Sequence, residues 1–157
     1  MAHPKSSKVP QSMPGSKSRV IGSSGPDVIL DFIFDQGLFF ISVNNIGDKP
    51  AYKVSVKFDS KIYGLGGTKE ISALPLFRNI EFLAPQKRIV TFLDSSNSYF
   101  SGKEPTKISA RISFRDSAAR EHIVTINHDL EIYREIGFIN RSRNSETLCD
   151  NQAAEGE

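Results

Sequence analysis

Between residues 27 and 139 the chain is a series of short runs in which apolar and polar residues alternate, separated by residues that favour turns. Alternation with a period of two predicts β-strands that bury one face and expose the other. The run VILDFIF places four side chains on one face, namely Val28, Leu30, Phe32 and Phe34. The run LFFISVNN does the same with Phe39, Ile41 and Val43. The DQG between them is short enough for a hairpin, with Gly37 in the left-handed conformation.

Four more runs follow the same rule. The run AYKVSVKFD alternates most regularly, and its inward residues are Tyr52, Val54, Val56 and Phe58. A strand is also predicted for KRIVTFLD, at residues 87–94. Near the end of the chain, TKISARISFRD points inward with Ile108, Ala110, Ile112 and Phe114. The last run, REHIVTINHDLEIY, places on one face Val124, Ile126, Leu130 and Ile132. The DSAA that joins these two runs has hairpin length.

The remaining segments lack this regularity. IYGLGGTKEISALPLFRNIEFLAP, with its glycines and prolines, indicates an irregular crossing loop with one short edge strand, and SSNSYFSGKEP indicates a polar loop. About seven short strands without a convincing helix predict two antiparallel sheets packed face to face. We therefore expect an all-β, immunoglobulin-like antiparallel β-sandwich at residues 27–139. It would lack the Cys-Trp-Cys core of antibody domains, because the chain has no Trp and its single cysteine is Cys149.

One stretch carries a family resemblance. NNIGDKPAYKVSVKF resembles the N-x-G-x-x-P-A-x-x-V-x-V-x-F stretch of CARDB-like and related prokaryotic immunoglobulin-like domains, in which a strand ends at Asn, turns through Gly and restarts at Pro-Ala. The matching positions are Asn44 or Asn45, Gly47, Pro50, Ala51, Val54, Val56 and Phe58. The resemblance implies a non-enzymatic binding or spacer module. Such domains are often extracytoplasmic and in tandem, whereas here there is one copy and no export signal. From the residues alone we interpret NNIGDKP as a corner, in which Gly47 permits positive φ.

The two ends differ from this region in composition. Residues 1–26 carry four basic side chains and no acid, and residues 140–157 are also polar, so we expect disordered tails on either side of one domain. A transit peptide is the alternative for the first segment, although its prolines would interrupt an amphipathic helix. With no apolar signal segment and no apolar run long enough to cross a membrane, we expect a cytoplasmic protein, or an extracytoplasmic one if it uses an export route that this chain does not show.

Charge and motifs narrow the possible functions. Residues 27–139 hold 14 basic and 14 acidic side chains, which argues against a dedicated nucleic-acid-binding domain. GLGGTK at residues 64–69 lacks the spacing of a phosphate-binding loop. His122 and His128, about 20 Å apart along one strand, cannot share a metal, and we interpret them as structural, with a pH-sensitive contact as the alternative. Cys149 has no positioned base and no serine lies in G-x-S-x-G, so we expect no enzymatic activity, cofactor or metal.

Two candidate binding surfaces remain. If residues 51–59 and 106–115 are neighbouring strands, a basic outer face results, formed by Lys53, Lys57, Lys107, Arg111 and Arg115. The alternative is ordinary solvation, with Glu121, Asp129 and Glu131 neutralising the face. An apolar partner patch is predicted in the crossing loop from Leu76, Phe77, Ile80 and Phe82. These side chains could instead plug the end of the sandwich. We expect a non-catalytic module that binds a protein partner, or alternatively an anionic ligand or nucleic acid with help from the basic N-terminal segment.

Overall fold

The structure, a computed structural model of the 157-residue chain, describes residues 24–136. Nine strands follow one another along these residues: β1 Val28–Asp35, β2 Leu38–Asn45, β3 Ala51–Phe58, β4 Tyr63–Gly64, β5 Lys69–Glu70, β6 Ile80–Leu83, β7 Arg88–Ser95, β8 Lys107–Arg115 and β9 Glu121–Asp129. The helical elements are short: α1 Pro75–Arg78, α2 Ser96–Ser101 and two 3-10 helices, Ile71–Ala73 and Leu130–Tyr133. The described region is therefore mostly β.

Seven of the strands form two antiparallel sheets. One has three strands in the order β1-β2-β7, and the other has four in the order β6-β3-β8-β9. The remaining two strands, β4 and β5, pair only with each other. The expected pairing of residues 51–59 with residues 106–115 is confirmed, because β3 and β8 are central neighbours of the four-stranded sheet.

A single hydrophobic core draws on both sheets. The predicted inward positions of β1, β2 and β8 are all buried except for Phe34, which is partly buried against the same core. Each fully buried Val, Leu, Ile or Phe side chain stabilises the fold by about 1.5–3 kcal/mol. The two sheets also contact each other directly, since His128 Nε2 on β9 lies 3.0 Å from the Leu30 carbonyl oxygen on β1.

The hairpin between β1 and β2 has a two-residue turn. Asp35 and Leu38 are paired, and both residues between them are left-handed, with φ of 48° at Gln36 and 80° at Gly37. This is the turn geometry whose twist matches that of the flanking strands. The left-handed position expected at Gly37 is confirmed, and Gln36 adopts the same region.

A β-bulge in β3 changes the predicted alternation. Lys53 has a φ of 52°, and the register with β8 shifts by one residue between Tyr52 and Ser55. An extra residue in one strand reverses the faces on either side of it. Ala51 is therefore fully buried, whereas Tyr52 lies opposite Arg115 and outside the core cluster. The expectation that Tyr52 points inward was wrong.

The two connections contain more regular structure than the sequence indicated. The segment before β7 holds the β4–β5 hairpin, two short helical turns and the edge strand β6, which confirms the expected edge strand. The expected loop after β7 is instead helix α2, whose Ser95 side chain accepts a hydrogen bond from Ser98 N at 3.2 Å. The buried Tyr99 donates its hydroxyl to the Pro105 carbonyl at 2.6 Å. The helix thus fixes the start of β8.

The end of the described region also departs from the predicted pattern. Leu130 is buried as expected, but it begins a 3-10 helix rather than continuing β9. Ile132 is therefore 65% exposed, and Tyr133 packs on the core in its place. The predicted inward position of Ile132 was wrong. Side chains on one face recur every two residues in β9 but every three residues in the 3-10 helix that follows it.

The expected tails at residues 1–26 and 140–157 lie almost entirely outside the described residues, as do the last three residues of the expected domain. Among residues 24–136 no helix is long and apolar enough to cross a membrane.

Candidate functional site: the outer face of the four-stranded sheet

The corner between β2 and β3 is held by one buried side chain, Asn45. Its Oδ1 accepts hydrogen bonds from Asp27 N at 3.2 Å and Gly47 N at 3.0 Å. Its Nδ2 donates to the carbonyls of Lys49 at 2.8 Å and Leu83 at 3.1 Å. Asn45 thereby joins the start of β1, the corner and the end of β6. The NNIGDKP corner is a structural element, and its Asn45 is fully used by these backbone groups.

Gly47 is required at this corner for a reason that differs from the one expected. Its φ is not among the positive values of the described glycines. A Cβ atom at Gly47 would instead lie 2.2 Å from Gly25 O and 2.6 Å from Asp27 N. The expectation of a positive φ was wrong, and close backbone packing is what excludes a side chain.

The bulge and the β3–β8 register determine which predicted cations come together on the outer face. Lys57 lies directly opposite Arg111. Two residues along, on the same face, Ser55 lies opposite Ser113, with 2.7 Å between their hydroxyl oxygens. Both cations are exposed, and neither forms a salt bridge with a carboxylate of residues 24–136. Two like charges therefore face each other in the middle of the sheet.

The other predicted cations of this face have acidic neighbours. Lys53 forms a salt bridge with Glu81 on β6, and the hydrogen bond from Lys53, followed by one from Asn79, lowers the pKa of Glu81. Arg115 lies opposite Glu121 in the β8–β9 register, and Lys107 lies opposite Asp129. Two of the expected acids, Glu121 and Asp129, thus lie opposite Arg115 and Lys107, whereas the partner of Lys53 is Glu81. Lys57 and Arg111 lie opposite no acid in the strand register, since Arg111 faces Thr125 on β9, and the acid that lines a surface depression with them is Glu121.

An aromatic pair borders the same face. Tyr52 and Phe82 lie opposite each other on β3 and β6, with ring centroids 5.5 Å apart at 62°. Phe82 is 55% exposed, and Tyr52 is half-buried beside Arg115. Sequence reasoning missed this pair as part of the basic face because the bulge at Lys53 was not recognised. A β-bulge leaves no clear signal in a run that still alternates.

The predicted apolar patch in the crossing loop is mostly interior. Phe77 is 1% exposed and meets Phe58 edge to face, with ring centroids 5.0 Å apart. Leu76 and Ile80 are partly buried against the core, and only Phe82 is exposed. The three interior side chains close the core beside β3, which was the alternative considered for them. Phe77 cannot belong to a surface patch, and Phe82 belongs to the outer face described above.

The two histidines of β9 make structural contacts. His128 bonds to the Leu30 carbonyl and meets Phe32 edge to face, with ring centroids 5.0 Å apart. His122 stacks on Phe114 and lies 2.9 Å from Asp116 Oδ2. Within residues 24–136 no group of three or more His, Cys, Asp or Glu side chains could hold a metal ion.

Asp116 is one of two buried carboxylates, with Asp94, that sequence reasoning missed. Its Oδ1 accepts from Ala118 N at 2.9 Å and Arg120 N at 3.0 Å, while its Oδ2 meets Arg120 Nε and His122 Nε2, each at 2.9 Å. The bond with His122 first, and then the other bonds and the Arg120 charge, outweigh burial and lower the pKa of Asp116 to about 2. Its signal in the sequence is an Asp placed directly after a strand, where its side chain can accept turn amides.

The glycine-rich loop GLGGTK serves the fold. Its residues Leu65, Gly66 and Gly67 are all left-handed, and Gly66 N donates to the buried Asp94 Oδ2 at 3.0 Å. The Gly66 amide thus already donates to a carboxylate of the protein itself.

Comparison with known proteins assigns most of the chain to a sequence family. Residues 13–134 match a sequence family described as a domain of unknown function, DUF8453. No curated protein and no solved structure matches the chain significantly. The chemistry of the site must therefore be inferred from its own geometry.

Proposed function

Because the chain belongs to the DUF8453 family of unknown function, we propose from its geometry that it is an immunoglobulin-like sandwich that acts by binding rather than catalysis. The strand orders β1-β2-β7 and β6-β3-β8-β9 support the fold, since they correspond to strands A-B-E and C′-C-F-G of such domains. The kinship with CARDB-like domains is supported by the corner at Asn45 and Gly47, between a strand ending at Asn45 and one starting at Ala51.

The proposed binding surface is the outer face of the four-stranded sheet, and its ligand is an acidic segment of a partner protein. The observation that carries this is the direct opposition of Lys57 and Arg111. Like charges opposite each other on neighbouring strands destabilise a sheet. A carboxylate from a partner would satisfy both cations at once and remove that repulsion.

The surroundings of this pair favour a protein partner over a simple anion. Ser55 and Ser113 offer hydroxyl groups beside the two cations, and the exposed Phe82 with Tyr52 offers apolar contact at the border. Tyr and Arg are enriched among the residues that contribute most to protein interfaces. The face thus combines electrostatic attraction with an aromatic contact that a protein segment can fill.

The test compares partners recovered by the wild-type chain and by the double variant Lys57→Glu, Arg111→Glu. Affinity purification from the native host with quantitative mass spectrometry measures the recovery. We expect specific partners with acidic segments to be lost from the double variant, because its face repels them. A synthetic acidic peptide from the recovered partner should then bind the wild type and lose about tenfold or more in affinity for the variant.

The control is Lys103→Glu, which changes an exposed cation before β8. It should retain every partner. Recovery of the same proteins by all three chains would contradict the proposal. If recovery of nucleic acid falls steeply between low and moderate salt, the alternative function as an anionic-ligand or nucleic-acid binder gains support instead.

A further inference from the structure

A cleft lies where the β2–β3 corner and the β8–β9 turn meet residues 24–26. It encloses about 410 Å³. The side chains that matter for its chemistry are those of Ser24, Lys49, Ser117, Arg120 and His122, with Asp116 at its wall. Clefts of a few hundred Å³ accommodate small ligands. None of these residues belongs to the outer face proposed to bind a protein.

Asp116 holds two of the cleft side chains in fixed orientations. Its Oδ2 lies 2.9 Å from Arg120 Nε and 2.9 Å from His122 Nε2. The imidazole is held a second time by stacking on Phe114, with ring centroids 5.2 Å apart and 13° between planes. Since Nε and Nε2 are occupied, the terminal nitrogens of Arg120 and Nδ1 of His122 are the groups that remain for a ligand.

The balance of donors and acceptors in the cleft favours an anion. Both oxygens of Asp116 already accept two hydrogen bonds each. The nearby Asp48 is turned toward Gly25 N, which it accepts at 2.7 Å. The guanidinium of Arg120, the ammonium of Lys49 and the hydroxyls of two serines are donors, and Arg120 is 77% exposed. A ligand that enters meets mainly donors.

We propose that this cleft binds the phosphate group of a small phosphomonoester, with Arg120 and Lys49 contacting the phosphate oxygens and Asp116 acting as the positioning residue for Arg120 and His122. Arg presents a planar fork of donors that fits a phosphate, and Lys adds a mobile charge. A carboxylate that fixes a binding side chain from behind reduces the ordering required when the ligand arrives.

The experiment is a titration of the full chain with glycerol phosphate, followed by amide NMR shifts. We expect saturable shifts at Lys49 and at residues 117–122, with a Kd of about 1 mM or tighter. Arg120→Gln and Lys49→Gln should each weaken binding about tenfold, because each removes a charge-assisted contact. Lys103→Gln, an equal loss of charge before β8, should leave the affinity unchanged.

Other ligands test the chemistry of the site. Glycerol should cause no shift at these residues. If inorganic phosphate binds as tightly as glycerol phosphate, the site recognises the phosphate group and makes no use of the glycerol. Citrate that binds more tightly than glycerol phosphate overturns the assignment to a phosphate. The absence of saturable shifts, or equal affinity in wild type, Arg120→Gln and Lys49→Gln, overturns the site.

The positioning role of Asp116 has its own readout. Asp116→Asn removes a negative charge beside an anion, which by charge alone would tighten binding. If Asp116 positions Arg120 and His122, the variant binds glycerol phosphate more weakly while its folded NMR spectrum is retained. Tighter binding overturns the positioning role.

The two proposed surfaces can fail separately. The double variant Lys57→Glu, Arg111→Glu should bind glycerol phosphate as the wild type does. Conversely, Arg120→Gln and Lys49→Gln should recover the same protein partners as the wild type. Loss of both activities in either variant would contradict the independence of the two sites.

Discussion

Asn45 joins three pieces of backbone through one buried amide, and each of its hydrogen-bonding groups is in use. Asn45 is 1% exposed. Removing its side chain would leave the carbonyls of Lys49 and Leu83 and the amide of Asp27 without their hydrogen-bond partner. A buried polar group that loses its partner costs about 1–3 kcal/mol. We expect Asn45→Ala to lower the free energy of unfolding by about 3 kcal/mol.

Urea denaturation followed by circular dichroism measures this change. The neighbouring Asn44→Ala is the matched control, because Asn44 donates only to Ser42 Oγ at 3.1 Å and its buried Oδ1 has no partner among residues 24–136. The control should lose about 1 kcal/mol or less. Equal losses at both positions would contradict the special role of Asn45.

Asp116 should make stability depend on pH in acid. Its pKa in the folded protein is lowered from 3.8 to about 2. A carboxyl with a lowered folded pKa stabilises the fold above its unfolded pKa, and that contribution is lost as pH falls toward the folded pKa. The stability difference between wild type and Asp116→Asn should therefore shrink as the pH falls from about 4 to about 2.

Urea midpoints at a series of pH values measure that difference. Comparing two chains at each pH removes the contribution of the other carboxyls, including Glu81 and Glu131, whose pKa values are also lowered by their basic partners. A difference that stays constant down to pH 2 would contradict the proposed charge state of Asp116.

At the scale of elements, the β3–β8 pair carries a repulsion that a single substitution should relieve. Lys57→Glu places an acid opposite Arg111 and should raise the free energy of unfolding by about 0.5–1 kcal/mol. Under the proposed function the same substitution weakens binding to an acidic partner. If the Lys57→Glu variant is more stable than the wild type but binds the partner more weakly, the weaker binding cannot be caused by unfolding.

A double-mutant cycle isolates this pair. In an Arg111→Gln background the gain from Lys57→Glu should largely vanish, because no cation remains opposite. Added salt should stabilise the wild type relative to Lys57→Glu, since screening weakens repulsion and attraction alike. An unchanged gain in the Arg111→Gln background would show that the two side chains do not interact.

Most of the strands could be predicted from the sequence, and the errors lie where the regular backbone ends. Strands β1, β2 and β8 were predicted with the right buried faces, because a period of two fixes side-chain direction wherever the backbone stays regular. Tyr52 and Ile132 were misplaced where regularity ends, at the bulge and at the 3-10 helix. Helix α2 was missed because six polar and aromatic residues carry no apolar stripe.

The candidate sites could likewise be predicted only where they depend on regular strands. That Lys57 and Arg111 share one outer face required only that two predicted strands be neighbours, but their direct opposition depends on the β3–β8 register. The cleft around Asp116 joins residues from Ser24 to His122, which no local pattern connects. The patch predicted at Phe77 failed because exposure of a loop residue depends on the core it covers, and that core comes from distant strands.

At the scale of the whole molecule, the two sheets share one core, so neither should be stable without the other. Leu30 on β1 and Ile112 on β8 are both buried in the same cluster, at 1% and 0% exposure. A sheet that loses its partner would expose its apolar face to water. Residues 24–136 should therefore unfold in a single cooperative transition.

Leu30→Ala and Ile112→Ala test this from opposite sides of the core. Each should cost about 2–5 kcal/mol, and each should shift the circular dichroism and tyrosine fluorescence transitions together. Ile123→Ala, on the outer face of β9 where Ile123 is 50% exposed, is the control and should change stability by about 0.5 kcal/mol or less. Two separated transitions in Leu30→Ala, with the four-stranded sheet melting at the wild-type midpoint, would show that the sheets are independent units and that the core does not couple them.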